Sequence, residues 1–293
     1  MNKDLTVGKP SQVLWQFCLP MFGSIIFQQL YNIADSLVAG KFIGENALAA
    51  VGNSYEITLI FIAFAFGCNI GCSVIVSRYF GAKDWESLEK VIHTTVALGL
   101  AAGAVLTVVG VILTPQILHW MGTPENVIGN SVAYFRTYFL GSIAVIMYNV
   151  GASILQSVGN SRSPMKYLIT ASLINIVLDL LFIGVLGYGV AAAAFATIIS
   201  QSVSAILAFS KLMRSKEAWA VSWRKVRFDG PMLHGVILQG LPSGIQSSVV
   251  SLANVIVQAN INSFGALAMA GCGSYSKVEG LSLIHISEPT RRS

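Results

Sequence analysis

The chain has 293 residues, 54% of them hydrophobic and 11% charged, with a formal net charge of +5. Soluble domains carry about 25% charged residues, so the composition excludes a water-soluble enzyme or binding domain of this length. The charges are also clustered: 25 residues without Asp, Glu, Lys or Arg lie between Lys9 and Asp35, 21 between Glu56 and Arg78, 31 between Asp179 and Lys211, and 47 between Asp229 and Lys277.

A hydrocarbon core about 30 Å thick needs about 20 apolar residues at 1.5 Å rise each, so these runs read as membrane-spanning helices. In chain order the spans fall at 12–40, 54–78, 91–117, 128–158, 165–187, 189–212 and 235–263, with an eighth begun near 267. The first run lacks a short apolar region ending in an A-x-A-like site and is followed by further spans, so it reads as a span and not as a cleavable signal. Turns fall at GKFIGEN, YFGAKDWESLEK, TPQILHWMGTPEN, GNSRSPMK and VLGYG, and the basic loop KLMRSKEAWAVSWRKVRF follows the sixth span. The runs AAGA at 101–104 and AAAA at 191–194 suit close helix contacts in lipid.

Orientation follows from the basic residues. The N-terminus and the loops at 78–90, 162–166 and 211–227 hold thirteen Lys and Arg between them, and the alternate loops hold only Lys41. This asymmetry predicts a multi-pass protein of the plasma (inner) membrane with a cytoplasmic N-terminus. The loop at 211–227 is then a topology determinant, and no nucleic-acid partner is expected.

An internal repeat is visible. KPSQVLWQFCLP at 9–20 and GPMLHGVILQGLP at 230–242 both place a Leu-Pro shortly after a Pro-initiated segment. Pairing Pro20 with Pro242 also pairs Leu30 with Leu252 and Asn32 with Asn254, and one residue of slippage matches Gly44 with Gly265, Ala47 with Ala268 and Gly52 with Gly273. Six spans return the chain to its starting side, so the copies are expected to be parallel. The predicted fold is an all-α integral membrane protein: a six-helix lobe plus the start of a second, parallel-repeat lobe, with 7–8 of an expected 12 helices. The expected organisation is the lobe at 1–213, a basic inter-lobe loop and lead-in at 214–234, the second lobe begun at 235–280, and a non-native tail at 281–293. That tail, LSLIHISEPTRRS, breaks the apolar pattern and reads as translated adapter sequence.

Few residues carry chemistry. A charge at bilayer depth costs about 2.5–3.5 kcal/mol or more, which makes it a functional candidate. Asp35 and Asp179 lie within apolar runs; Glu56 and Arg136 sit nearer the ends of theirs and read as interfacial or mutually paired. From the helical rise, Asp35 is about 8–12 Å, Asp179 about 12–15 Å and Thr197 about 12–13 Å inside the non-basic side. Asn175 precedes Asp179 by one turn and shares its face. Two carboxylates, an amide and a hydroxyl at one depth form an all-oxygen set suited to a proton or a sodium ion. Gln28, Gln29 and Asn32 read as cavity-lining or inter-helix residues. Cys68 and Cys72, one turn apart, have no His or carboxylate companion and read as packing residues. His93 and His119 lie near helix ends and are expected to be solvated.

The stretch LPMFGSIIFQQLYNIADSLVAGKFIGENALAAVGNS resembles the first helix and loop of the multidrug and toxic compound extrusion (MATE) family, and NIVLDLLFIGVLGYGVAAAAFATIISQ resembles its fifth and sixth helices. The resemblance runs from about residue 10 to about residue 280. It implies two six-helix lobes around an alternately facing cavity. It also implies a secondary active transporter exporting amphipathic or cationic drugs and xenobiotics in exchange for protons or sodium. Asp35, Asn175, Asp179 and Thr197 match that family's amino-lobe cation cluster. The expected partners are small organic molecules and the bilayer, with no cofactor or metal beyond the coupling ion, and a monomer is expected. In the second copy Val257 stands where Asp35 does, and the visible part of that lobe offers Gln246 but no acid. A lipid-linked saccharide flippase of the same broader superfamily is the alternative, disfavoured because Arg136 is the only deep basic residue. A membrane-embedded enzyme is disfavoured because no nucleophile–base or metal-ligand set is present, and a channel because nothing suggests a ring of filter loops.

Overall fold

The computed structural model describes residues 10–42, 44, 49, 67 and 69–275, and every regular element among them is helical. The elements are α1 (Pro10–Phe42), α2 (described over 69–81), α3 (Trp85–Trp120), α4 (Glu125–Leu140), α5 (Ser142–Ser157), α6 (Arg162–Asp179), a π-helical turn (Leu180–Val185), α7 (Ala191–Met213), a 3-10 turn (Trp223–Lys225), α8 (Gly230–Asn262) and α9 (described over 266–275). Among the described residues five helices are long and apolar enough to cross a membrane, or six when the bent pair α4–α5 is taken as one span. Most of the second expected span, the Glu56 side chain, Cys68 and the tail at 281–293 lie outside the described residues.

Local chemistry explains the helix ends. Asp84 caps α3, its carboxylate accepting the Ser87 N–H at 3.1 Å. The hydrogen bonds from Ser87 hold that carboxyl below the usual range, so this contribution to stability is present at neutral pH and lost as pH falls through the lowered value. Asp229 caps α8 in the same way, accepting from the Met232 N–H at 3.2 Å. Inside the apolar spans, Thr95, Thr107 and Thr114 return their hydroxyls to the carbonyls of Val91, Gly103 and Gly110 at 2.8, 2.9 and 2.6 Å. A hydroxyl bonded to the preceding turn leaves no unmet donor in the hydrocarbon region.

The helices pack in a chain of neighbours: α1 on α6, α6 on α7, α7 on α5 and α4, and both of these on α3, with α8 reaching α3. One buried cluster joins Val76, Leu88, Ile92, Leu155, Leu168, Phe209 and Leu212 at the basic end of the bundle. A second joins Val38, Val127, Tyr134, Ile183 and Ala193 at the other end. The outward faces remain apolar, as Val108 and Ile112 on α3, Leu173 and Val177 on α6, and Val249 and Ile256 on α8 show.

The single helix expected over 128–158 is two helices, bent by 49° at Gly141. The Ile198 side chain of α7 occupies the place of a Cβ there: one built on Gly141 would lie 2.3 Å from Ile198 Cγ1. The break is therefore set from α7, 57 positions away in sequence (141 to 198). The fifth span also differs, since its α-helix stops at Asp179 and a π turn completes it.

The two ends of the proposed repeat share local features. Both α1 and α8 run for 33 residues with a proline inside, Pro20 and Pro242. Gly44 and Gly265 follow them in the left-handed region, at φ 113° and 92°, where residues with a Cβ are strained. The helix α2 crosses α8 through glycines: a Cβ on Gly71 would lie 2.4 Å from the Val236 carbonyl oxygen, and one on Gly67 would lie 2.3 Å from Gly244 Cα. Small residues permit this backbone approach in lipid.

That crossing yields a test. Gly71→Ala should lower the stability of the purified chain in detergent by about 1–3 kcal/mol, because its methyl meets backbone that cannot rotate away. Gly129→Ala meets nothing within 4 Å and should be neutral or stabilising by up to about 1 kcal/mol. Equal thermal unfolding of the two variants would contradict the close crossing.

Candidate cation site

The site is built on α6 and α7. Asn175 and Asp179 occupy one face of α6, a turn apart, and both are buried, at 1% and 0% exposure. Thr197 lies six positions into α7, which runs back alongside α6. The Asn175 amide donates to the Thr197 hydroxyl at 3.4 Å, and that hydroxyl donates to the Ala193 carbonyl at 3.1 Å. The amide oxygen of Asn175 has no hydrogen-bond partner among the described residues. The set therefore presents a carboxylate, an amide oxygen and a hydroxyl oxygen away from water.

Asp179 is the last residue of the regular helix. The π turn after it shows the wider spacing directly, with the Leu186 N–H donating to the Leu181 carbonyl at 2.9 Å. Such turns are frequent at functional sites because they shift the face a helix presents. Gly184 in this turn leaves room for the Phe42 ring at the end of α1, where an added Cβ would lie 3.5 Å from Phe42 Cζ. At the other end of the same pair Gly23 faces Met165, with 3.2 Å from an added Cβ to the sulfur. Both contacts join positions 142 apart (23 with 165, 42 with 184), so α1 and α6 run parallel in one register. That register sets the backbone of Asp35 level with Val177, between Asn175 and Asp179. The side chains of Asp35 and Asn32 lie outside the described residues. Gln28 is exposed and Gln29 half-buried on α1.

A donor set of this kind suits a hard cation. Oxygen donors suit a proton or an alkali or alkaline-earth ion, whereas zinc and copper favour nitrogen and sulfur. No group of three His, Cys, Asp or Glu able to hold a metal occurs among the described residues. Cys72 is buried in the apolar cluster between α2, α3 and α5.

The polar face extends further than the four expected residues. Ser200, Gln201 and Ser204 follow Thr197 along the buried face of α7, and the Gln201 side-chain oxygen has no partner among the described residues. The spacing of Thr197, Gln201 and Ser204 was a legible helical pattern. His119 is exposed as expected, but His93 is 2% exposed, contrary to its expected solvation. The backbone of Ser222, 129 positions away, covers it. Arg136 is exposed on α4, and its pairing with Glu56 falls outside the described residues.

Comparison with known proteins agrees with this architecture. Residues 20–181 match the family model described as MatE. The chain is 31% identical over 282 residues to the probable multidrug resistance protein YoeA of Bacillus subtilis, a match covering 92% of this chain and 60% of that protein. A protein of Shewanella oneidensis named FAD transporter is 25% identical over 280 residues, covering 93% and 61%. Among solved structures, the inward-facing conformation of a multidrug resistance MATE family transporter of the MOP superfamily is 28% identical, with a TM-score of 0.82 over 89% of this chain and 59% of that one. The chain thus spans about 60% of the length of the curated relatives it matches.

The Asn175–Thr197 contact can be tested without a transport assay. Thr197→Val keeps the shape and leaves the buried Asn175 amide without its acceptor, which should destabilise by about 1–3 kcal/mol. Thr107→Val removes a hydroxyl that bonds only its own helix and should change stability by less than about 0.5 kcal/mol. Equal melting shifts for the two would contradict the geometry.

Proposed function

The chain belongs to the MatE family, and from that premise we propose that the protein is an ion-coupled exporter of amphipathic or cationic organic compounds. The observation that carries this reading is the fully buried Asp179 beside the Asn175–Thr197 pair. A carboxylate without solvent is costly in a low-dielectric interior, so a proton or sodium ion arriving at it stabilises whichever conformation encloses it. Cargo that binds another conformation of the same lobe is then driven out by the ion through differential affinity. The register of α1 on α6 supports Asp35 as a second acid of the site, acting as a unit with Asp179. Gln28, Gln29 and Asn32 on α1 are proposed to line the cargo cavity.

The basic loops face the cytoplasm in this reading, and the acid pair lies in the outer half of the bilayer. Two relatives carry names of different scope, a probable multidrug resistance protein and an FAD transporter. The oxygen-only site supports a hard cation as the coupling ion and is silent on the cargo. A second reading, export of an anionic compound, is favoured by the exposed guanidinium of Arg136, about 16 Å from the start of α4.

The test uses vesicles holding a protein of the relatives' full length. Efflux is driven separately by a pH gradient and by a sodium gradient. Asp179→Asn and Asp35→Asn should each reduce gradient-driven efflux by about tenfold or more while leaving the protein inserted, and the double variant should be little worse than either, because a unit is already broken by one change. Normal gradient-driven efflux from Asp179→Asn would overturn the assignment. Arg136→Gln separates the cargo readings, since only export of anions should weaken.

A further inference from the structure

The basic loop between α7 and α8 is tied to the bundle at specific points. Trp219 and Val221 are buried, each 3% exposed, in the cluster formed with Leu88, Ile92, Phe209 and Leu212. Trp223 stacks on Phe209 at 5.5 Å between ring centroids. Lys225 pairs with Glu89. The Thr94 hydroxyl accepts the Asp229 N–H at 3.2 Å and donates to the Arg227 carbonyl at 3.4 Å. Asp229 is also the cap of α8, so the loop that rests on α3 aims the first turn of α8.

At the centre of this dock is His93. Its Nδ1 lies 2.7 Å from the Glu89 carbonyl oxygen and its Nε2 lies 3.0 Å from the Ser222 backbone nitrogen. A carbonyl only accepts and a backbone N–H only donates, so the two partners fix the tautomer: hydrogen on Nδ1 and a lone pair on Nε2. The ring is neutral in this arrangement. A proton added at Nε2 would remove the acceptor and set one N–H against another. The bond to Ser222 therefore requires neutral imidazole.

We propose that His93 is a proton-binding site at the basic end of the bundle, separate from Asp179, whose protonation releases the inter-lobe loop from α3. With 36 residues α3 is about 54 Å long, well beyond a hydrocarbon core of about 30 Å, and the charged Glu86, Glu89 and Lys90 in its first turns place that end at the membrane surface. Asp179 sits 17 positions beyond Arg162, about 25 Å along α6 from that end. The two groups thus respond to protons at different depths. Among the described residues, the titratable and charged groups near His93 are Glu89 and Lys90 on its own helix and Lys225, Arg227 and Asp229 on the loop and its end, and α8 carries His234 five positions beyond Asp229. The faces of α7 and α2 in this cluster are Ala208, Phe209 and Leu212, and Val76 with Tyr79. This inference does not rest on the exporter reading, since it concerns the dock alone.

The test is hydrogen–deuterium exchange of the purified 293-residue chain in lipid nanodiscs, read on the peptide holding Ser222 and corrected for intrinsic exchange, between about pH 8 and about pH 5.5. The wild-type loop should be protected at the higher pH and open about fivefold or more at the lower. His93→Gln places an amide oxygen where Nε2 accepts, so its protection should persist with no pH response. His93→Leu should leave the loop open at both values while α3 and α5 stay protected. Wild-type protection that ignores pH would overturn the proposal. So would a pH response retained in His93→Gln, which would assign the titration to Asp229 or another neighbour; if His93→Leu fails to fold, the wild type and His93→Gln still decide.

Discussion

Burying a carboxyl group inside a bundle whose outer surface is hydrocarbon constrains everything around it. Translocon-based scales set the cost of Asp at a helix centre at about 2.5–3.5 kcal/mol, and simulations of charged groups on isolated helices give more. Asp179 meets this constraint by position. It has no solvent exposure, it ends a regular helix, and it shares a face with an amide whose donor is occupied by Thr197 while its oxygen stays available. The Asn175 amide oxygen has no hydrogen-bond partner among the described residues, and that makes this corner of the bundle the candidate for a cation.

The same constraint governs the rest of the bundle in milder form. Several hydroxyls within the spans fold back on the carbonyl one turn earlier, as Thr95, Thr114, Ser172 and Ser202 do, so these add polarity without an unmet partner. Where two helices approach most closely, glycine supplies the contact, at Gly71 on α8 and at Gly103 against Ile143 of α5. Among the described residues, irregular backbone at three places shows the same constraint: the bend at Gly141, the π turn after Asp179 and the loop docked under α3. Each is covered by protein groups, respectively Ile198, Phe42 and the cluster around Trp219, as the absence of water in the bilayer core demands.

Much of this was legible in the chain. Long uncharged runs located several of the helices among the described residues, because a bilayer thickness translates directly into a helix length. The run expected at 12–40 is the helix Pro10–Phe42, and that at 235–263 is Gly230–Asn262. Caps at Asp84 and Asp229 extend two helices past their apolar runs, which hydropathy alone cannot register. Three features depended on distant partners. The bend at Gly141 is set by Ile198, the π turn accommodates Phe42, and the burial of His93 depends on a loop 129 positions on. In the site, Asp179 and Thr197 match in depth counted from one turn, Asn175 follows from its spacing to Asp179, and the Asn175–Thr197 contact spans 22 positions. Gln201, one turn beyond Thr197 on the same buried face, carries no charge, so the cost of burying it leaves no mark in the charge pattern of the span.

The central claim, that the corner around Asp179 binds the coupling ion, lies wholly within this chain and needs no second lobe to be measured. The most direct measurement is thermal unfolding of the purified chain in detergent at constant ionic strength, with sodium exchanged for choline and the pH lowered from neutral, in the wild type and Asp179→Asn. An ion bound only by the folded state stabilises it by an amount that grows with the logarithm of its concentration, about 2.7 kcal/mol at one hundred times the dissociation constant. The account predicts that the wild type gains stability from sodium or from protons and that Asp179→Asn loses that gain. Equal sodium and pH responses in the two proteins would contradict it.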